Sequence, residues 1–396
     1  MSQSKRRVLS LATLYPNAHL PRFGIFVKQQ MEALAARGDW DVTLLNPVGI
    51  PPVAFGRFRP LSAALRHGPE GGVSVYRPRF TLIPRFGARR NPAAIVKAAM
   101  PLVRQLHAEQ PFELVDAQFF YPDGPAAAQI AEELGLPLSI KARGADIHHW
   151  GSLPWARERM LAAGNQAAGL LAVSEALAQD MAALGFPRAK ITVHYTGLDR
   201  GRFHPLGREH ARMTLATDFG IRLEPAQTLL ACVGALIERK GQRLAIEALT
   251  HLPDTALALV GHGPDRAQLQ AHAMQLGVAD RVHFLGSVDH KALPVLLSAS
   301  AAMVRPSLSE GLANAWVEAI ACGTPIVVTD AGGARELIRD PSAGRIVERD
   351  AFAIAHAVRE LMLDPPAPER VAANVAQFSW QANAAALAEH YARLTA

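Results

Sequence analysis

The chain has 396 residues, of which 49% are apolar and 19% are charged, and this predicts two domains that each bury a full core. Two cysteines, Cys232 and Cys322, exclude a disulfide framework or a cysteine-based metal cluster and favour a reducing compartment. No stretch approaches the ~18 apolar residues of a membrane span. The apolar run that follows the basic start is about seven residues long and has no small-residue cleavage site. We interpret it as a first buried strand rather than a signal peptide.

The net charge of +6 is distributed unevenly along the chain. Residues 1–205 contain 24 Lys and Arg against 15 Asp and Glu, whereas the remainder contains 17 against 20. The basic clusters of the first half are Lys5-Arg6-Arg7, Arg57/Arg59, Arg77/Arg79 and Arg85/Arg89/Arg90. Two interpretations stay open: attraction to an anionic membrane leaflet or a phosphate-bearing acceptor, and an ordinary solvated surface. The clusters lack interleaved aromatic residues and a reading helix, which argues against a nucleic-acid partner.

Short apolar runs alternate with longer helical patterns through the whole chain. In the first half the predicted strands are VLSLATL, DVTLLNP, LVDAQF, LPLSIKA and GLLAVS, with a helix over 26–37. In the second half they are TLLACVG, TALALVG, VHFLG, AAMVRP and PIVVTD. Continuous Val, Leu, Ile and Ala strands are typical of parallel sheets covered on both faces. The pattern therefore predicts two Rossmann-like, doubly wound α/β domains.

A polar segment near the middle of the chain interrupts this alternation. It predicts an N-terminal domain over 1–200, a linker over 201–215 and a C-terminal domain over 216–378. The last segment, 379–396, is predicted to form an amphipathic helix from Trp380 to Leu394 that packs back on the N-terminal domain. Ligands of open α/β sheets bind outside the carboxyl ends of the strands, so two such domains are expected to face a central cleft.

The segment 306–338 contains the strongest chemical pattern. A strand ends at Arg305-Pro306-Ser307, a loop carries Glu310 and Gly311, and a helix begins near Leu312 or Ala313 and contains Glu318. Gly311 permits close approach of a ligand to the backbone, and a helix N-terminus offers free N–H groups to a phosphate. Carboxylates accept hydrogen bonds from vicinal hydroxyls, so a diphosphate between the two glutamates would leave a sugar at one and a ribose at the other.

A second candidate is the pair Arg239 and Lys240 beside Gly241, in the loop that follows TLLACVG. Two cations at the junction of a strand and a helix make a natural clamp for phosphate. The alternative is a pair of solvated surface charges.

The segment PSLSEGLANAWVEAIACGTPIVV resembles the E-x7-E motif of glycosyltransferase family 4. Further resemblances follow in the family's order: YPNAHLPRFGIF, YTGLDRGRFHP, VGALIERKG, LVGHGPDRAQL and RVHFLGSV. The resemblance covers nearly the whole chain and implies a GT-B fold. It also implies a retaining hexosyltransferase of polysaccharide biosynthesis, with a nucleotide sugar such as a UDP- or GDP-sugar as donor and a glycan or a lipid-linked molecule as acceptor.

The resemblance also implies roles for individual residues. Lys240 and Arg239 would neutralise the donor diphosphate, Glu310 would contact the hexose, and Glu318 would hold the ribose. The backbone of Gly311, Leu312, Ala313 and Asn314 would bind phosphate or sugar, and Gly24 and Gly263 would complete the donor site.

Two positions depart from the family's pattern. Ala235 stands where an arginine is frequent, which places more weight on Arg239 and Lys240. Arg143 stands at the position of a histidine, in Lys141-Ala142-Arg143-Gly144-Ala145-Asp146. The expected acceptor contacts are Arg143, Asp146, Tyr121, Asp123 and His148.

The family resemblance implies front-face transfer with no cofactor and no metal, and no DxD motif stands in a suitable loop. The expected location is the cytoplasm, with peripheral contact at the inner face of the plasma membrane through the basic domain. The alternatives are a GT-B nucleotide-sugar epimerase, a nicotinamide-dependent oxidoreductase and a non-catalytic binding protein. The first strand of this sequence is not followed by the G-x-G-x-x-G motif of a nicotinamide-dependent oxidoreductase, which argues against that alternative.

Overall fold

A computed structural model describes residues 5–53, 61, 64–83, 87–224 and 226–396. The chain forms two compact units, residues 1–197 together with 380–396, and residues 198–379. Both units are α/β, which confirms the predicted fold class.

The first unit contains a mixed sheet and a small accessory sheet. Its strands are β1 (Arg6–Leu11), β2 (Trp40–Leu45), β3 (Val48–Ile50), β4 (Gly68–Glu70), β5 (Val73–Tyr76), β6 (Arg79–Thr81), β7 (Leu114–Ala117), β8 (Leu138–Ala142), β9 (Gly169–Ala172) and β10 (Ile191–Val193). Its helices before the second unit are α1 (Ile25–Ala36), α2 (Asn91–Glu109), α3 (Asp123–Leu134), α4 (Pro154–Gln166) and α5 (Glu175–Leu184).

Among the described residues the main sheet of this unit has the order β10-β9-β8-β7-β1-β2-β5-β4, and β3 pairs with β6 separately. All neighbours in the main sheet are parallel except β4 and β5, which are antiparallel. The five predicted strands of this half are present. The sequence patterns missed the three-residue strands β3, β4, β6 and β10, and also β5, whose Val73 and Val75 are buried while Ser74 and Tyr76 are half-buried. A four-residue alternation of this kind is too short to stand out beside continuous apolar runs.

The second unit contains a fully parallel sheet. Its strands are β11 (Thr228–Val233), β12 (Thr255–Val260), β13 (Val282–Gly286), β14 (Ala302–Arg305), β15 (Ile326–Thr329) and β16 (Gly344–Val347). Its helices are α6 (Arg208–Asp218), α7 (Gln242–Ala248), α8 (Arg266–Gln275), α9 (Leu293–Ala299), α10 (Asn314–Ala321), α11 (Ala334–Leu337), α12 (Ala351–Leu363) and α13 (Pro368–Ala373). Over the described residues the strand order is β13-β12-β11-β14-β15-β16.

The predicted linker, residues 201–215, lies within the second unit and includes most of α6. This helix buries Ala211 and Leu215 and exposes charged residues on its other face. The high polarity of the segment therefore comes from the solvated face of a helix.

The C-terminal helix α14 (Trp380–Leu394) belongs to the first unit, where it packs on α1. Tyr391 places its ring edge-on to Trp40 with the centroids 5.4 Å apart. Asn383 donates from Nδ2 to the Tyr195 carbonyl at 2.6 Å and accepts from His194 Nε2 at 2.9 Å through its own carbonyl. In the described chain, no helix combines the length and the apolar character needed to cross a bilayer.

Candidate functional site

Loops of the second unit meet at one edge of its sheet, because parallel strands place their carboxyl ends together. The loops that follow β11 and β12 pack backbone against backbone. A Cβ built on Gly263 would lie 2.0 Å from the Leu236 carbonyl oxygen, and one on Gly261 would lie 2.0 Å from that of Gly234. These contacts require glycine at position 263 for loop packing; its contact with a donor stays a prediction.

A buried cluster of three charges stands at this edge. Lys240 Nζ lies 2.6 Å from Glu310 Oε1, and Arg305 Nη2 lies 2.7 Å from the same oxygen. Each of the three residues is less than 10% exposed. Arg305 also donates from Nη1 to the Val233 carbonyl at 3.1 Å, which fixes it against the end of β11. Two cations and one carboxylate leave the cluster with a net positive charge.

The pKa values of the cluster follow from burial and these contacts. Burial alone would raise the pKa of Glu310, but the charges of Arg305 and Lys240 prevail and lower it to about 2. Burial and the charge of Arg305 lower the pKa of Lys240 to about 8, against the opposing pull of Glu310. Glu310 is thus ionised at neutral pH, and most of the Lys240 population keeps its proton there.

Arg239 connects two of the loops. Its Nη1 donates to the Ser309 carbonyl at 2.6 Å, and its own carbonyl accepts from the Leu308 N–H at 2.8 Å. The loop after β11 is therefore tied to the loop that carries Glu310. The sequence predicts that Arg239 and Lys240 form one clamp, but their side chains contact different groups. Lys240 contacts the Glu310 carboxylate, whereas Arg239 contacts the backbone of the loop that carries Glu310.

Helix α10 begins at Asn314, and no side chain caps its N-terminus. The Trp316 N–H donates to the Ala313 carbonyl at 2.9 Å, and the N–H groups of the first two helical residues lie at the predicted phosphate segment, Gly311 to Asn314. Leu312 and Ala313 are buried, and the Gly311 carbonyl accepts from the Gly333 N–H at 2.8 Å. The approach of Gly332 to the carbonyls of Glu310 and Gly311 packs the next loop against this one.

Glu318 lies on α10 and has a different partner. Its Oε1 is 3.0 Å from His290 Nε2, and His290 Nδ1 is 3.1 Å from Arg202 Nη1. The Phe203 ring packs against His290 with the centroids 4.9 Å apart. The two glutamates of the motif therefore belong to two separate polar groups, as expected if they contact different parts of one ligand.

Arg143 and Asp146 of the first unit lie in the loop after β8. Arg143 donates from Nε to the Gln118 carbonyl at 2.8 Å and from Nη2 to Gln118 Oε1 at 2.5 Å. Its guanidinium carbon is 4.8 Å from the Phe26 ring centroid. Burial lowers the pKa of Arg143 to about 10, although the nearby carboxylates of Asp146 and Asp116 raise it.

Asp146 is fully buried and accepts hydrogen bonds from backbone N–H groups, among them those of Phe120 at 3.0 Å and Gly144 at 2.8 Å. Burial raises its pKa, and these N–H groups lower it. Its carboxylate thereby holds the loop in place, and its contact with an acceptor stays a prediction.

Tyr121 and Asp123 are both buried, at 1% and 0% exposure. Tyr121 donates its hydroxyl to the Ala88 carbonyl at 2.5 Å. Asp123 accepts from the Thr13 N–H at 3.0 Å and from Thr13 Oγ1 at 2.7 Å, and burial raises its pKa to about 7. Helix α3 begins at Asp123. Both side chains thus have partners inside the unit.

The remaining predicted residues are His148 and Gly24. His148 Nε2 lies 2.9 Å from Asp180 Oδ2, at the surface. Gly24 precedes α1 with φ 70°, and a Cβ there would lie 2.4 Å from the Leu14 carbonyl carbon and oxygen. The chain itself requires glycine at position 24, and a ligand contact there stays a prediction.

The sequence patterns did not single out three residues that complete these groups, Arg305, His290 and Arg202. Arg305 carries a usable signal, because a cation at the last position of a buried apolar strand requires a buried anion nearby. His290 and Arg202 carry none, since each is an ordinary polar residue of a loop.

Two family models match the chain. Residues 24–202 match Glycosyltransferase Family 4, and residues 217–378 match Glycosyl transferases group 1. A GDP-mannose-dependent alpha-(1-6)-phosphatidylinositol monomannoside mannosyltransferase of Mycolicibacterium smegmatis is 35% identical over 228 residues, which span 54% of this chain and 58% of that enzyme. A Bacillus subtilis protein named for teichuronic acid biosynthesis, the glycosyltransferase TuaC, is 27% identical over an alignment of 404 positions that covers 98% of this chain and 99% of that protein.

Solved structures share the whole fold. The sucrose-phosphate synthase of Thermosynechococcus elongatus has a TM-score of 0.81 at 22% identity, covering 98% of this chain and 99% of that one. Anabaena HepE in complex with UDP and glucose has a TM-score of 0.74 at 19% identity, covering 97% and 99%.

The two α/β units and these likenesses define a glycosyltransferase of the GT-B fold. The chain belongs to glycosyltransferase family 4.

Proposed function

We propose that the chain moves a hexose from a nucleotide sugar, a UDP- or GDP-sugar, to a glycan or lipid-linked acceptor with retention of anomeric configuration. The observation that carries the proposal is the Lys240–Glu310–Arg305 cluster at the strand ends, beside the uncapped N-terminus of α10. Cations and helix N–H groups together suit a diphosphate.

In this proposal the donor diphosphate occupies the region between Lys240 and the start of α10. Lys240 stabilises the charge that develops on the β-phosphate as the bond to the anomeric carbon breaks. The acceptor oxygen forms its bond on the same face of the sugar, and its proton passes to the departing β-phosphate oxygen. Since cationic side chains neutralise the leaving group, the reaction is proposed to need neither a metal nor a cofactor.

Arg305 acts in this scheme as a positioning residue. It shares Glu310 Oε1 with Lys240 and is itself fixed to the Val233 carbonyl. Glu310 therefore stays ionised and in place to face the hexose. Glu318, held by His290, contacts the ribose hydroxyls.

The relatives support the choice of substrates. One relative is named for GDP-mannose and a phosphatidylinositol mannoside, and another is named for teichuronic acid. The solved structure of a third protein, HepE, holds UDP and glucose. A donor of the UDP- or GDP-hexose class and an acceptor that is a lipid-linked or cell-surface glycan fit all three. We place the enzyme in the cytoplasm, in peripheral contact with the inner face of the plasma membrane.

The test is a screen of UDP- and GDP-hexoses for release of nucleoside diphosphate, with and without glycan and lipid-linked acceptors and in the presence of EDTA. Acceptor-dependent release that survives EDTA is expected. Conversion of the nucleotide sugar without any acceptor would indicate an epimerase instead, and loss of transfer with EDTA would contradict the metal-independent mechanism.

The role of Glu318 is tested by Glu318→Gln. The change removes the charge that faces the ribose but keeps the size of the side chain, so KM for the donor is expected to rise about tenfold or more. Glu247→Gln is the matched control, a glutamate that pairs with Arg243 on α7. An unchanged KM in Glu318→Gln would remove the ribose contact from the proposal.

A further inference from the structure

The basic clusters of the first unit differ in how their charges are paired. Arg6 pairs with Glu113 at 2.9 Å and Arg7 pairs with Asp41 at 3.0 Å. Arg77 pairs with Glu70 at 2.6 Å. Arg57, Arg59 and Arg85 lie outside the described residues. The paired arginines are neutralised within the protein, so they contribute little to attraction for an anionic partner.

The start of α2 is different. Arg89, Arg90 and Arg159 line a cavity of about 440 Å³ among α2, α3 and α4, with Gln129 and Gln166 also in its wall. The described residues that line it include no aspartate or glutamate. In the part of the chain that the structure describes, none of the three arginines forms an ion pair with a carboxylate.

Two of these arginines are held in place by the fold. The guanidinium carbon of Arg89 lies 5.2 Å from the Trp155 ring centroid, a cation–π contact. Arg159 Nη1 donates to the Arg89 carbonyl, and the Tyr121 hydroxyl donates to the neighbouring Ala88 carbonyl. The Arg159 and Tyr121 side chains therefore hold the backbone that leads into α2.

The helix adds charge of the same sign. Helix α2 begins at Asn91, directly after Arg90, and its first turn has neither an acidic residue nor a side-chain cap. The positive end of its dipole therefore reinforces the arginines. All three arginines are exposed, and three like charges at one concave surface create a local positive potential that attracts an anion.

We propose that this cavity binds a phosphate group, a monoester or a diester, carried by the acceptor. A phosphate monoester carries about two negative charges and a diester carries one, and both offer several acceptor oxygens to the guanidinium groups and to the Gln129 amide. Gln166 Nε2 donates to the Ala128 carbonyl at 2.8 Å and has a second N–H in the same wall. That the phosphate belongs to the acceptor rests on the proposed transferase function; the anion site itself does not.

The experiment measures binding of glycerol 3-phosphate by calorimetry to the wild-type chain, Arg90→Gln, Arg90→Gln/Arg159→Gln and Arg104→Gln. Arg104→Gln is the matched control, because this residue lies on the same helix with 65% of its side chain exposed and pairs with Glu133. We expect binding to weaken several-fold in the single variant, at least tenfold in the double variant, and to stay unchanged in the control. Arg90 is exposed, so the single variant keeps the test valid if the double variant fails to fold.

A second arm identifies the source of the phosphate. Co-sedimentation with vesicles of phosphatidylglycerol in phosphatidylcholine, lost in Arg90→Gln, assigns the site to a lipid headgroup. Binding of glycerol 3-phosphate without co-sedimentation assigns it to a soluble phosphate ester. Equal affinities in all four proteins, or no binding in the wild type in either arm, would overturn the inference. Titration with UDP and GDP on the same proteins reports the donor site separately, so its failure is distinguishable from failure here.

Discussion

Buried lysines occur in both units, and their partners differ. Lys141, in the first unit, contacts Gln30 Oε1 at 2.8 Å and His194 Nδ1 at 2.6 Å, both neutral acceptors. Lys240, in the second unit, contacts the carboxylate of Glu310 at 2.6 Å. Burial and the charge of Arg143 hold the pKa of Lys141 well below its usual range, whereas the pKa of Lys240 falls only to about 8.

The difference separates a structural polar group around Lys141 from the group around Lys240 that we propose binds the donor. Lys141 is 0% exposed and reaches α14 through His194, whose Nε2 donates to the Asn383 carbonyl. A neutral amine suits that task, since it needs no counterion. Lys240 stands at the strand ends with its charge kept by Glu310, where a phosphate can compete for it.

The largest expected effect is on transfer in Lys240→Met. Removing the cation that we propose faces the leaving group should lower kcat/KM about 10²- to 10³-fold. Glu310 keeps Arg305 as its partner, so the fold should survive, as circular dichroism would show. Arg243→Gln, which removes a cation 63% exposed in the same region, is the control. Equal activities in the two variants would contradict a role for Lys240.

A smaller effect is expected from Gly169→Ala, which probes the seating of α14 on the first unit. A Cβ at this position would lie 2.6 Å from His390 Cε1, in a ring that also contacts Ser139 at 3.1 Å. Such overpacking costs about 1–3 kcal/mol of unfolding free energy. Urea denaturation measures it, and Gly201→Ala, where the nearest atom is 3.5 Å away, is expected to be nearly neutral. A stable Gly169→Ala protein would show that α14 shifts freely.

The next prediction concerns pH and activity. Because the pKa of Lys240 is lowered to about 8, kcat/KM should fall as the pH rises above that value, by up to about tenfold per pH unit. Lys240→Arg keeps its charge at these pH values and should move the decline to higher pH, whatever its absolute rate. A decline at the same pH in both proteins would assign it to another group.

The smallest effect is the pH dependence of stability that Lys141 contributes. Its folded pKa is lowered, so between that folded pKa and about 10.4 the unfolded chain binds a proton that the folded chain does not hold. Stability then rises with pH, by at most about 1.4 kcal/mol per unit from this group. The unfolding free energy of the wild type should therefore increase between pH 8 and pH 9.5 relative to that of Lys141→Met. A difference independent of pH would mean that Lys141 is charged in the folded state.

Local pattern in the sequence determined the α/β class and ten of the strands. It also determined the bounds of α14, Trp380 to Leu394, because an apolar stripe at helical spacing is encoded in neighbouring residues. The motif around Glu310 and Glu318 was equally local, since its glycine, loop and helix start are contiguous in the chain.

Only the tertiary structure decided which side chains meet. Lys240 and Glu310 are 70 positions apart, and they pair because β11 and β14, which precede them, are neighbours in the sheet. The same adjacency places Arg305, five residues before Glu310, against the Val233 carbonyl, a contact between strands that no spacing in the sequence contains. Strand order is set by the packing of the whole unit, so the partners of each charge follow from the completed sheet and not from the segments that supply them.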